Sequence, residues 1–209
     1  MNKIKFVYFD IGGVMANTDD YFKGATIKFG ISLNDFTEFW QNFFRDDMTI
    51  GKITPQEFWN KAIIKFNLKN ANDFNFLESW MGDYKENIDV HELAKKIAKK
   101  YKIGLISNLY PGMMPKLVDL GKVPDINYSA IVLSNEVGMM KPEKGIYELA
   151  TTIARVKAEE ILFIDDRQDF IEGGRLAGWI TFWLDEKNIK KSIEKIEKIL
   201  LSDKVHLSV

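Results

Sequence analysis

Five short, largely apolar runs recur along the chain, and each is followed by a polar residue or a glycine. They are four to six residues long and rich in β-branched and aromatic side chains, which favours strands over helices. Because polar residues do not alternate with the apolar ones, the pattern is typical of strands buried on both faces of a parallel sheet. The predicted strands are residues 4–9, 102–106, 130–133, 161–164 and 179–184.

Helical patterns separate the later runs. Residues 89–101 ("DVHELAKKIAKKY") precede the second run, and residues 141–156 ("KPEKGIYELATTIARV") precede the fourth. Residues 189–200 place isoleucine and leucine on one face and lysines opposite, which predicts a closing helix packed on the sheet. This alternation predicts an α/β fold with a doubly wound, Rossmann-like parallel sheet as its core.

One long segment breaks the alternation. Residues 21–86 contain aromatic-rich, amphipathic stretches but no convincing buried strand. Within it, Thr54, Pro55 and Glu57 form a helix-start signal: an N-cap, a proline at the first helical position and an acid at the third. We therefore predict an α-helical cap domain inserted into the core domain. The predicted boundaries are 17–87 for the cap domain and 1–16 with 88–209 for the core domain.

Composition and charge narrow the possible partners. The 209 residues include 29 Lys+Arg and 30 Asp+Glu, a formal net charge of -1, so neither nucleic acid nor a membrane surface is an expected partner. The absence of cysteine excludes disulfides, thiolate metal sites and cysteine nucleophiles. No window approaches the roughly 20 apolar residues of a membrane span, and the N-terminal apolar run is too short for a secretory signal. The default expectation is a cytoplasmic protein that is a monomer or a weak homodimer.

Distinctive polar residues follow four of the predicted strands. In a doubly wound sheet the carboxyl ends of the strands line one crevice, so we expect these side chains to converge. They are Asp10 after the first run, Ser107 and Asn108 after the second, Lys141 after the third, and Asp165 and Asp166 after the fourth.

The carboxylates in this set predict a metal site. Asp10, Asp165 and Asp166 are too many to cluster without a counter-charge, because like charges close together raise one another's pKa. A divalent cation relieves this repulsion, and an all-oxygen site that retains water suits Mg²⁺.

The remaining residues predict a phosphate site. The Ser107 hydroxyl, Asn108 and backbone N–H groups near Gly12 and Gly13 are neutral donors suited to phosphate oxygens. Lys141 adds a positive charge that can hold both the phosphate and an aspartate. A carboxylate beside a metal, surrounded by such groups, is typical of phosphoryl transfer through an aspartyl phosphate. Each of these residues alone could be a helix cap or a turn former with no role in chemistry. Four such positions in order, each after an apolar run, make that interpretation improbable.

In this order the motifs resemble those of the haloacid dehalogenase-like (HAD) hydrolase superfamily, over nearly the whole chain. The first motif of that family is an apolar run followed by D-x-D-G-[T/V], which stands here as "FDIGGVMANT", with Asn17 and Thr18 in place of a D-S pair. The second is "ISN", the third is Lys141 and the fourth is "IDD". The phrases "GKITPQEFW" and "IEGGRLAG" fit the subgroup with a helical cap (C1, subfamily IA), and the motifs look closest to the α-glucose-1-phosphate phosphatase-like branch.

The resemblance implies a role for each matched residue. Asp10 would be the nucleophile, and Lys141 would act with it in catalysis. Mg²⁺ would take the Asp10 carboxylate, the Gly12 carbonyl and the Asp166 carboxylate. The other matched residues would support these: Asp165 at the metal site, and Ser107, Asn108, Lys141 and Gly13 around the phosphoryl group of a small phosphorylated metabolite.

Two positions depart from the family pattern. Gly12 replaces the second aspartate of D-x-D, which in relatives protonates the leaving oxygen and then activates water. A glycine can offer its carbonyl to the metal but cannot move a proton. Phe170 stands four residues after Asp166, where relatives often carry Asn or Asp, and the neighbouring Asp169 is a candidate substitute.

Three functions remain open on these residues. A phosphatase would use substrates whose leaving group needs little protonation, such as a sugar 1-phosphate or an acyl phosphate. A metal-free 2-haloacid dehalogenase also lacks the second aspartate, but the intact Asp165–Asp166 pair argues against it. A non-catalytic binder of a phosphorylated ligand or a protein partner is the third, and retention of Asp10, Lys141 and Asp166 argues against that.

Overall fold

A five-stranded parallel sheet forms the centre of the protein. The computed structural model describes residues 4–17 and 21–201. Its strand order is β5-β4-β1-β6-β7, and every neighbouring pair is parallel. This confirms the predicted α/β fold, and all five predicted strands are present. The strands of this sheet are β1 Phe6–Phe9, β4 Lys102–Ser107, β5 Ala130–Leu133, β6 Ile161–Asp165 and β7 Ile180–Trp183, with β2 and β3 outside it.

The central strand β1 is apolar on both faces because each face contacts a separate core. Phe6 and Tyr8 belong to the smaller core, whereas Val7 and Phe9 belong to the larger one. Both faces of β1 are fully covered, which is why its sequence shows no polar alternation.

Helices flank the sheet on both sides. The last of them carries the predicted apolar face: Ile196 and Leu200 are buried in the larger core. It lies beside the first helix after the insertion, where Lys96 and Glu197 form an ion pair at 2.6 Å. These helices are α6 Ile88–Ala98, α7 Met113–Asp119, α8 Ser134–Val137, α9 Lys144–Ala154, α10 Gln168–Leu176 and α11 Ile189–Leu200, with 3₁₀ turns at Ala158–Glu160 and Glu186–Asn188.

Five helices make up the segment inserted after β1. The predicted helix start is present: the Thr54 hydroxyl accepts the Glu57 N–H, and the Glu57 carboxylate accepts the Thr54 N–H. The helices are α1 Lys23–Phe29, α2 Leu33–Phe43, α3 Arg45–Thr49, α4 Pro55–Lys65 and α5 Phe76–Gly82.

The inserted segment also contains one short, exposed strand. Strand β3, Lys85–Glu86, pairs antiparallel with β2, Ala16–Asn17. Two residues are too few to show a strand pattern in sequence, so only the pairing reveals them. The paired strands join the inserted helices to the core, but the division into two domains at the predicted boundaries stays a prediction. Thr18, one of the predicted motif positions, lies outside the described residues.

The inserted helices pack around an aromatic core of their own. Phe22, Phe36, Phe58, Phe76 and Trp80 are all essentially buried, and neighbouring rings lie 4.6–6.3 Å apart in mostly tilted or edge-on arrangements. Such pairs stabilise a core beyond the area that they bury. No helix among the described residues combines the length and the apolar character needed to cross a bilayer.

One buried hydroxyl connects the inserted helices to the strand ends. Ser134 Oγ donates to the Thr49 carbonyl at 2.7 Å and accepts the Leu109 N–H at 3.1 Å. Close by, a Cβ on Gly51 would lie only 2.2 Å from the Asn135 carbonyl oxygen. The inserted segment therefore meets the sheet closely above β4 and β5.

A glycine in β4 is required by the packing of the sheet. A Cβ on Gly104 would lie 2.7 Å from the Ala130 carbonyl oxygen and 2.6 Å from Tyr8 Cε1. We expect Gly104→Ala to lower the free energy of unfolding by about 1–3 kcal/mol, because the backbone oxygen cannot move aside without disturbing the sheet. Urea denaturation measures this difference.

Gly82→Ala is the matched control, because no heavy atom lies within 4 Å of a Cβ placed there. We expect it to leave stability unchanged or to raise it by up to about 1 kcal/mol. Equal stability of the two variants would show that the close packing at Gly104 is not limiting.

Candidate active site

The carboxyl ends of β1 and β6 bring three aspartates together. Asp10 follows β1 directly, and its N–H donates to the Ile164 carbonyl of β6 at 3.0 Å. Asp165 ends β6 and Asp166 follows it, so parallel register places the three side chains at the same height. Each carboxylate offers one oxygen, and these three oxygens all lie within 4.8 Å of one another. Among the described residues this is the single such cluster of potential metal ligands.

Lys141 is buried between two of these aspartates. Its Nζ donates to Asp165 Oδ2 at 2.6 Å and lies 3.0 Å from Asp10 Oδ1. The ammonium also lies 4.6 Å from the ring centroid of Phe170 and 5.2 Å from that of Phe163. Burial by itself disfavours the charge, but Asp10 and Asp165 outweigh it and raise the pKa of Lys141. The site therefore holds a fixed positive charge.

Negative charge is in excess in this cluster. Burial raises the pKa of Asp165 to about 8, opposed by Lys141, and burial together with the charge of Asp10 raises the pKa of Asp166 to about 7. Were all three carboxylates ionised, the single ammonium of Lys141 would leave two negative charges uncompensated. A divalent cation carries the charge that balances them.

The donor set fits a hard cation. Asp10 Oδ1 and Asp166 Oδ1 are buried, and neither has a hydrogen-bond donor within the described ranges. The Asp10 atom lies 3.0 Å from the Lys141 ammonium, so Asp166 Oδ1 is the oxygen for which the described residues supply no positive partner. Buried carboxylate oxygens without donors are costly unless a cation contacts them. Oxygen ligands of this kind are those that Mg²⁺ prefers.

Asp165 differs from the other two aspartates because both its oxygens are engaged. Oδ2 accepts from Lys141, and Oδ1 accepts the Arg167 N–H at 2.8 Å. Its predicted place among the metal residues is therefore a supporting one, through Lys141 and the loop after β6. Asp10 and Asp166 retain the oxygens that a cation would contact.

The two glycines of the first motif have different surroundings. Gly13 adopts a left-handed backbone (φ 77°), and a Cβ there would lie 2.4 Å from Asp166 Cγ. Gly12 has no heavy atom within 4 Å of the place that its Cβ would take. Gly13 is thus required by close approach of the backbone to a metal-site carboxylate, whereas the space beside Gly12 is open.

Two predicted phosphate-binding residues lie at the end of β4. Ser107 is buried there, one strand away from Asp10. The Asn108 side chain makes two hydrogen bonds to the Lys141 backbone: Nδ2 donates to the carbonyl and Oδ1 accepts the N–H, both at 2.9 Å. The amide of Asn108 therefore positions Lys141, and binding of phosphate by Asn108 stays a prediction for its backbone N–H.

Phe170 contacts the buried Lys141 ammonium instead of supplying a polar group. Its ring lies against the Lys141 ammonium and, at 4.3 Å, against the Arg167 guanidinium. Asp169 does not take over as a substitute, because its carboxylate pairs with the half-exposed Arg167 at 2.6 Å. A cation–π contact thus occupies a position where relatives often carry Asn or Asp.

Three tyrosines beside the site were not singled out together from the sequence. The charges of Asp10 and Asp166 add to the effect of burial in raising the pKa of Tyr21, and that of Asp10 does so for Tyr84. Tyr110 lies three residues beyond Ser107 and contributes to the raised pKa of Tyr84. Because Tyr110 follows Ser107 and Asn108 at the end of β4, its place in the sequence could have indicated that it lies near the site.

Comparison with curated proteins finds a relative over most of the chain. No protein-family model matches. The chain is 28% identical to D-ribitol-5-phosphate phosphatase from Bacteroides thetaiotaomicron over 189 aligned residues. The alignment covers 86% of this chain and 91% of the relative.

Solved structures share the fold at lower identity. A HAD family enzyme from Bacteroides thetaiotaomicron, as wild-type protein in complex with magnesium and inorganic phosphate, matches with a TM-score of 0.67 and 20% identity, over 99% of this chain and 100% of that chain. The 2-haloacid dehalogenase from Pseudomonas syringae pv. Tomato DC3000 matches with a TM-score of 0.61 and 15% identity, over 92% and 99%. At these identities the structures show the fold alone.

As predicted, the chain resembles the HAD-like hydrolases in its fold, in the order of its motifs and in sequence over most of its length. The predicted Mg²⁺ agrees with the carboxylate cluster at the strand ends. The narrower α-glucose-1-phosphate phosphatase-like branch stays a prediction.

The contrast between Gly12 and Gly13 can be measured by Mg²⁺ binding. We expect Gly13→Ala to weaken Mg²⁺ binding at least about tenfold, because its methyl group would displace the Asp166 carboxylate. Isothermal calorimetry or the Mg²⁺-dependent shift in Tm reports this without any substrate.

Gly12→Ala is the matched control, and its Mg²⁺ affinity should stay within about twofold of the parent, because its methyl group meets no other atom. Equal weakening in both variants would place the cation elsewhere in the motif.

Proposed function

We propose that this protein is a Mg²⁺-dependent phosphatase that hydrolyses a small phosphorylated metabolite through an aspartyl phosphate on Asp10. The observation that carries the proposal is the position of Asp10 between the fixed ammonium of Lys141 and the cation-binding carboxylate of Asp166. The phosphatase activity named for the relative supports the same reaction class.

The reaction divides into two displacements at phosphorus. The Asp10 carboxylate attacks the phosphorus, so that an oxygen–phosphorus bond to Asp10 forms while the bond to the ester oxygen breaks, and the leaving oxygen takes a proton from solvent. Water then attacks the phosphorus of the aspartyl phosphate and gives up a proton to solvent. The bond to Asp10 breaks, which restores the carboxylate and releases inorganic phosphate. Mg²⁺ held by Asp10, the Gly12 carbonyl and Asp166 would supply positive charge for the phosphoryl oxygens.

Lys141 and its supports keep the nucleophile in place. Its ammonium is fixed by Asp165 and its backbone by Asn108, so the charge beside Asp10 does not have to reorganise during the reaction. Ser107, at the neighbouring strand end, would donate its hydroxyl to a phosphoryl oxygen, and the N–H groups near Gly13 would do the same.

Gly12 limits which substrates react readily. No side chain at this position can protonate the leaving oxygen, and such general acid–base help contributes typically about 10² to 10⁴ in rate. The open space beside Gly12 is where an aspartate side chain would extend. Substrates with a good leaving group, such as a sugar 1-phosphate or an acyl phosphate, depend least on this missing group.

A magnesium titration with an aryl phosphate tests the proposed reaction. We expect phosphate release to rise with Mg²⁺, to saturate, and to fall by about a thousandfold or more in Asp10→Asn, because the nucleophile is lost. Asp119→Asn, a change at the exposed last residue of α7, is the matched control and should retain full activity.

Other outcomes distinguish the alternatives. Halide release from a 2-haloacid without Mg²⁺ would make the protein a dehalogenase. Failure of both reactions, with phosphate compounds still bound, would make it a non-catalytic binder.

The role of Gly12 is tested by its replacement with aspartate. Because a Cβ at Gly12 meets no heavy atom within 4 Å, we expect Gly12→Asp to fold and to raise the rate on simple alkyl phosphates by about 10²-fold, with a gain below about tenfold on aryl phosphates. Steady-state rates on a series of esters of graded leaving-group pKa provide the measurement. If the parent already cleaves alkyl and aryl phosphates at equal rates, another group supplies the proton and the proposed role of Gly12 is wrong.

A further inference from the structure

One tryptophan lies outside the two hydrophobic cores of the protein. Trp183 ends β7, the strand at one edge of the sheet, and 43% of its surface is accessible. The other four tryptophans of the chain are buried: Trp40, Trp59, Trp80 and Trp179. A half-exposed ring gains less from burial than a core residue does, so packing explains only part of the position of Trp183.

The indole N–H of Trp183 makes a short hydrogen bond to the loop that carries the acidic pair. Trp183 Nε1 donates to the Asp166 carbonyl at 2.6 Å. The backbone N–H of the next residue, Leu184, donates to the Asp165 carbonyl at 2.8 Å. Parallel pairing of β6 and β7 places Trp183 opposite Asp165, which brings the indole within reach of the residue that follows. The end of β7 therefore contacts the backbone of both aspartates.

Asp166 stands where regular secondary structure stops. Asp165 is the last residue of β6, and α10 begins at Gln168, so Asp166 belongs to neither element. The regular hydrogen bonds of a strand or a helix therefore do not fix its peptide group, and its carbonyl needs a donor from elsewhere. The Trp183 side chain supplies that donor.

The carboxylate of Asp166 is confined by a second contact. The backbone of Gly13 approaches it so closely that a Cβ there would lie 2.4 Å from Asp166 Cγ. Asp166 Oδ1 is buried and has no hydrogen-bond donor in the part of the chain that the structure describes. The direction of this carboxylate therefore depends on the backbone that carries it. A rotation of the Asp166 peptide would move the carboxylate relative to the Asp10 oxygen with which it shares the cation site.

The bond from Trp183 thus acts on the cation site through Asp166. We propose that Trp183 is a positioning residue for this site: its indole N–H fixes the Asp166 backbone and so directs the Asp166 carboxylate towards Mg²⁺. Groups that orient a metal ligand without touching the metal commonly change its affinity by about 10- to 100-fold when they are removed. The inference rests on the proposed function for the identity of the cation, and it adds a residue that contacts neither substrate nor metal.

The chain contains a matched control for this bond. Trp179 Nε1 donates to the Thr151 hydroxyl at 2.8 Å, and its ring packs against Tyr8 and Tyr147. Trp179 stands just before the first residue of β7, whereas Trp183 stands at the carboxyl end of the same strand. Loss of the indole donor at Trp179 therefore disturbs the core without reaching the acidic pair.

Mg²⁺ affinity tests this role without any substrate. We expect Trp183→Phe, which keeps a ring but removes the donor, to weaken Mg²⁺ binding by about tenfold, because the Asp166 carboxylate is no longer held towards the cation. Trp179→Phe should lower stability but keep its Mg²⁺ affinity within about twofold of the parent. Isothermal calorimetry measures the affinities, and urea denaturation measures the stabilities.

The indole N–H resonances provide a second readout on the unmodified protein. In nitrogen–proton correlation spectra, we expect added Mg²⁺ to shift the Trp183 indole signal, because a cation on Asp166 changes the peptide group that accepts this bond. The Trp179 indole signal should stay in place, since its acceptor is the Thr151 hydroxyl. The missing signal in Trp183→Phe identifies the resonance, and backbone assignment of the parent does so if that variant fails to fold.

These measurements separate the inference from the proposed function. Weaker Mg²⁺ binding in Trp183→Phe alone would support the positioning role even if no phosphate ester were hydrolysed. Equal Mg²⁺ affinity of the parent and Trp183→Phe would overturn it, and so would a Trp183 indole signal that does not move when Mg²⁺ binds. An equal loss of affinity in Trp179→Phe would also overturn it, because the effect would then follow from general destabilisation.

Discussion

A single buried ammonium group organises the candidate site. Lys141 contacts Asp165 at 2.6 Å and Asp10 at 3.0 Å, and its side chain has no exposed surface. A buried charge is tolerated only when it is paired and hydrogen-bonded, so the positions of β1, β6 and the loop before α9 depend on one another. The Asn108 amide adds β4 to this arrangement by holding the Lys141 backbone. Four separate segments thus meet around one charge.

The same arrangement leaves a defined excess of negative charge. Asp165 is occupied by Lys141 and by the Arg167 N–H, whereas Asp10 and Asp166 each keep a buried oxygen without a donor. This division separates the aspartate that orients the lysine from the two that face a cation. It also explains why Gly13 must lack a side chain while Gly12 need not. In the first motif, Gly13 is required by its close approach to the Asp166 carboxylate, and Gly12 leaves open space near Asp10.

Charged and aromatic side chains come from different parts of the fold. The strand ends supply charge, and the inserted segment supplies aromatic rings, among them the exposed Tyr21. The link between them is short, because Ser134 bonds both the end of α3 and the loop after β4.

Local pattern determined the strands, the order of the motifs and the residues of the charged cluster. Uninterrupted apolar runs report burial on both faces, and in a parallel sheet the residue after each run has only one edge to occupy, so Asp10, Lys141 and Asp166 could be named from spacing. Tertiary structure decided what those residues contact. Several of these contacts join positions far apart in the chain. The strand β2 pairs with β3, the Asn108 amide bonds the Lys141 backbone, and the Phe170 ring contacts the Lys141 ammonium. Tyr21 and Tyr84 also come close to each other. Sequence periodicity carries no information on such contacts, because each depends on how separate elements pack together.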